Sequence, residues 1–137
     1  MRGPIRLRLL RGGGILLVAL GVLHLAATPH IASLVRRSVA PAAAQWLTPP
    51  MLLNHVLVGV LLIPLGCLTV YAAPHSVAGA PWAQVVVRIA ACSVAALPIV
   101  LFAIMGTRYF GDAPLFVVGA ALAVTAAAAL LVAAFSR

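Results

Sequence analysis

The chain has 137 residues, of which 65% are hydrophobic and 7% charged, with a formal net charge of +8. Soluble domains carry about 25% charged residues and disordered segments are poor in apolar ones, so both classes are excluded. The charge consists of nine Arg and no Lys against one Asp, spread along the chain rather than gathered on one face, which argues against a nucleic-acid binder.

A membrane-crossing helix takes about 20 mostly apolar residues. Four windows qualify, about 12–28, 51–73, 82–106 and 113–135. Barrel strands would alternate polar and apolar residues, and these runs are solidly apolar, so helices are expected. The basic stretch Met1–Arg11 followed by Ile15–Ala27 has the outline of a secretory signal. It lacks a small-x-small cleavage site, so an uncleaved first helix is expected. Pro29, Pro49, Pro50, Pro74, Pro81 and Pro114 fall at window edges, where a missing N–H is harmless. Pro64 and Pro98 lie inside windows, where each frees a carbonyl and shapes its helix.

Between the first two windows lies the one long loop, about 30–50. At helical spacing Ile31, Leu34, Val35, Ser38, Val39, Ala42 and Trp46 share one side, opposite Ser33, Arg36, Arg37 and Ala40. This pattern predicts an amphipathic helix in the headgroup plane, with Trp46 as its anchor and Pro41 as a break. The remaining loops are short turns that force antiparallel neighbours. The expected fold is therefore all-α: a single membrane domain over 1–137, a four-helix up-down-up-down bundle with an amphipathic interfacial helix in the first loop.

Arg placement sets the orientation. Arg2, Arg6, Arg8, Arg11, Arg88 and Arg137 collect at the end that carries both termini, and Arg36, Arg37 and Arg108 at the other. Both termini are expected in the cytoplasm, with Arg88 snorkelling to that interface.

Helices in lipid meet through small residues. Gly14, Gly21 and Thr28 recur every seven residues in the first window, and His24 shares their face. Gly59 and Gly66 are seven apart in the second, and His55 shares theirs. Gly119 and Ala123 form a small-xxx-small pair in the fourth. Each of His24 and His55 lies about one turn from the outer end of its window, so the two imidazoles are expected side by side at one depth. Met51, Asn54, Met105, Arg108, Tyr109 and Asp112 belong to the same end. The opposite half holds only Cys67, Cys92 and Arg88 as comparable groups.

That polar end suggests either a buried His–Asn–Thr hydrogen-bond network or a ligand pocket formed by His24, Asn54, His55, Arg108, Tyr109 and Asp112. Imidazole and thioether also suit haem iron or copper, so His24, His55, Met51 and Met105 are the candidate ligands of a metal or haem. Asp112, four residues after Arg108, reads as an ion pair at the lip. Cys67 and Cys92 lack a C-x-x-C spacing and read as inert apolar residues. The chain shows no nucleophile–base set, phosphate loop or carboxylate pair, so no enzymatic chemistry is indicated.

The segment Gly21-Val-Leu-His24-Leu-Ala-Ala-Thr-Pro29, a Trp in the following loop, and Asn54-His55 resemble small four-span bacterial inner-membrane proteins of unknown function. The resemblance covers the first half of the chain. It implies a bacterial inner membrane and four spans, and it carries no activity. The expected function is a non-enzymatic accessory or small-ligand-binding membrane protein, as a homo-oligomer or within a larger complex. The alternatives are a redox subunit holding haem or copper through His24 and His55, and an oligomeric transporter.

Overall fold

The structure, a computed structural model, describes residues 3–106 and 114–136. Four helices follow in chain order: α1 Gly3–Ser38, α2 Pro41–Val77, α3 Pro81–Met105 and α4 Pro114–Phe135. Each contains a window long and apolar enough to cross a membrane, and the chain is a multi-pass membrane protein. Its outer surface agrees: Leu61 is 66% exposed, Ile99 68% and Ile104 78%, which is tolerable only where lipid replaces water.

Local chemistry sets the helix ends. Pro41 and Pro81 stand in the first turns of α2 and α3, where the ring presets φ and no N–H is needed. Gly79 turns the chain between α2 and α3 at φ 91°, a value that side chains resist. There the N–H of Ala80 donates to the carbonyl of His75, closing the end of α2.

The helices form a ring in which α1 packs on α2 and α4, and α3 packs on α4 and α2. Leu10, Leu17, Val87, Val94 and Leu130 are fully buried at its centre, set among alanines such as Ala72, Ala91 and Ala126 that allow close packing. Arg6 ties one end together. Its Nε donates to the carbonyl of Ala133 at 2.9 Å, and its Nη2 to Oγ of the fully buried Ser76 at 3.2 Å. The start of α1 and the end of α4 therefore lie at one end, as expected for four alternating helices. Arg88 lies over the Phe135 ring, its Cζ 5.8 Å from the centroid, at that same end. Tyr71, His75 and Trp82 form a ring cluster there, with centroids 5.3–6.2 Å apart.

The opposite end corrects the expected first loop. No separate helix lies in the headgroup plane. Residues 30–50 are helical, but as the tips of α1 and α2, joined by a turn at Val39 and Ala40. Pro29, Pro49, Pro50 and Pro74 sit inside these helices instead of ending them. A proline removes one ladder bond, and packing against a partner helix offsets that loss. At 36 and 37 residues, α1 and α2 outrun α3 and α4, which have 25 and 22. The excess stands beyond the outer ends of α3 and α4 as a helical hairpin about 15 Å tall. Ile31, Leu34, Val35 and Val39 face inward on it, while Arg36 and Arg37 are exposed, as the periodicity predicts. Trp46, 82% exposed, does not share the inward face, because the turn at 39–40 resets the phase.

Candidate functional site

The site begins with glycine. A Cβ placed on Gly14 would lie 2.9 Å from the Gly66 carbonyl oxygen, and one on Gly21 would lie 2.8 Å from that of Gly59. The reverse pairs are as tight, at 2.5 Å and 3.0 Å. The two backbones therefore touch at two levels one heptad apart, which fixes the register of α1 against α2.

That register places His24, three residues past Gly21, beside His55, four before Gly59. Their rings stack with centroids 4.7 Å apart and planes inclined by 30°. The expected pairing of the two imidazoles is present. Nδ1 of His24 lies 2.9 Å from the Leu20 carbonyl. A carbonyl only accepts, so Nδ1 carries the proton and Nε2 of the neutral ring keeps a lone pair. Thr28 donates to the carbonyl of His24 at 3.1 Å. Nε2 of His55 is buried and has no hydrogen-bond partner. Such an atom is costly, by about 1–3 kcal/mol.

The pair lines a cavity of about 560 Å³. Its upper wall is the inner face of the hairpin, with Leu34, Val35 and Val39. Asn54 and Met51 line it from α2, Leu101 from α3, and Phe116 and Gly119 from α4. A second space of about 410 Å³ lies deeper, among Leu20, Leu62, Pro98 and Ala123. The two share His24, Asn54, Val58, Leu101 and Gly119, so they adjoin. Among the described residues, no charged side chain lines either.

Of the residues singled out in the sequence, His24, Asn54, His55 and Met51 converge on this cavity. Arg108, Tyr109, Asp112 and the side chain of Met105 lie outside the described residues. His30 stands exposed at the cavity edge. Cys67 and Cys92 are free and exposed on the outer surface. The pattern of the sequence did not single out Leu101, Phe116 or Gly119 as walls. Their signal is length: once prolines are allowed inside α1 and α2, the inner face of the hairpin needs a floor.

Two imidazoles ligating one haem iron point their nitrogens at it from opposite faces of the macrocycle. Rings stacked face to face at 4.7 Å leave no room for a macrocycle, so the pair does not fit a bis-histidine haem. Copper is compatible in ligand type, with two imidazoles and the Met51 thioether on one cavity. Among the described residues, no group of three His, Cys, Asp or Glu side chains gathers to hold an ion. No family model, curated protein or solved structure matches this chain.

Proposed function

We propose that this chain is a small-ligand-binding or accessory protein of a bacterial inner membrane. Its termini lie in the cytoplasm, and its pocket lies toward the outer face. The Arg distribution supports the orientation, with six at the end of the termini and three at the other. One observation carries the pocket: a His24 ring whose orientation the backbone fixes, stacked on His55, with both residues lining a roomy cavity. Packing alone would fill such a position with an apolar side chain. A ring held by its own Nδ1–H is instead oriented to offer Nε2 to something else.

The test is purification into nanodiscs with native lipid, followed by mass spectrometry of the extracted small molecules. Wild type should retain a compound in near-stoichiometric amount, and His24→Leu and His55→Leu should lose it about fivefold or more while still inserting. Identical extracts from all three would overturn the reading. A Soret band or stoichiometric copper would replace it with a redox role.

A further inference from the structure

We infer that the pocket takes an uncharged, long-chain molecule with a hydroxyl head, a lipid alcohol, held by donation of its O–H to Nε2 of His24. The inference rests on the pocket reading above and names the ligand's chemistry.

Three observations combine. The first is the polarity of the walls. Both spaces are lined mainly by Leu, Val, Ile, Ala, Met and Phe, and no described charged residue faces them. A carboxylate, phosphate or ammonium would meet no counter-ion among the described residues there, and its desolvation would go uncompensated by them. A neutral molecule would not. The second is shape. The two adjoining spaces run from the level of Val39 to that of Leu20, about 28 Å along α1. One leaflet of hydrocarbon is about 15 Å deep, so a lipid-length chain is accommodated with its head part-way along. The third is hydrogen-bond polarity. Nδ1–H of His24 is committed to Leu20, so its Nε2 is an acceptor and the ligand must donate. A hydroxyl donates once and still accepts. A ketone, ester or ether offers His24 nothing.

The experiment uses the full chain in nanodiscs and a photoactivatable diazirine analogue of hexadecanol, with labelled peptides mapped by mass spectrometry. Labelling should fall on the cavity walls, including Met51 and Leu101. Unlabelled hexadecanol should suppress it at about tenfold lower concentration than hexadecyl methyl ether or palmitate, the margin a single buried hydrogen bond commands. His24→Phe, which keeps a stacked ring but no acceptor, should abolish that margin, and His24→Gln should restore part of it. Cavity labelling that alcohol and ether suppress equally would overturn the hydroxyl assignment and leave the pocket standing. Stronger competition by palmitate would overturn the requirement for neutrality. Labelling confined to outward residues such as Leu61 and Ile99 would remove the pocket and this inference together.

Discussion

Arg6 shows how one side chain holds three helices. It stands on α1, caps a carbonyl at the end of α4 and satisfies the buried hydroxyl of Ser76 on α2. A charged donor in such contacts contributes about 1.5–3 kcal/mol, so Arg6→Ala should lower stability by that amount, measured by unfolding in detergent. His55 behaves in the opposite sense. Its buried nitrogen is unpartnered, so His55→Leu removes a cost instead of a bond. That variant should insert normally and unfold no more easily than wild type, gaining up to about 1 kcal/mol, while ligand retention falls. A clear loss of stability in the same assay would mean that the His24–His55 stack is structural.

The hairpin of α1 and α2 is built on glycine. A methyl group on Gly66 would meet the Gly14 carbonyl at 2.5 Å and Val18 Cγ2 at 2.8 Å, and a backbone oxygen cannot step aside. Gly66→Ala should therefore cost about 1–3 kcal/mol by overpacking. Gly12→Ala and Gly119→Ala, where a Cβ meets nothing within 4 Å, should stay within about 0.5 kcal/mol of wild type in the same unfolding measurement. These spacings also explain what was legible in the sequence. Two glycine heptads fixed faces, and equal distances from the window edges matched the two depths, so the meeting of His24 with His55 could be read from the pattern; the depth itself could not, because each ring lies about 21 Å below the tip of the hairpin instead of one turn. The prolines misled at the same scale. Pro29, Pro49 and Pro50 look like boundaries because each breaks a ladder bond. Whether a partner helix offsets that loss is a tertiary fact, which local pattern does not carry. The hairpin, and with it the upper wall of the cavity, stayed hidden for this reason.

Over the whole molecule, aromatic rings mark the two membrane interfaces, and the proposed orientation rests on the Arg distribution. Tyr71, His75 and Trp82 mark one interface and Trp46 the other, about 37 Å apart along α2. Reporter fusions behind Ala80 and Ser136 should report cytoplasm, and one at Ala43 the periplasm. A periplasmic reading at Ser136 would invert the molecule and place the pocket on the inner side.

The unequal helices have a consequence for the surrounding lipid. Between Arg11 and Arg36, α1 presents about 37 Å of helix free of charge, whereas α4 is about 33 Å from end to end. One side of the protein therefore asks for a thicker bilayer than the other. The annular lipids must follow a sloping rim, stretched along the hairpin and compressed beside α3 and α4, or the molecule must tilt to level itself. The slope is lowest where the tips of α3 and α4 meet the foot of the hairpin, and there the lipid chains are brought level with the cavity.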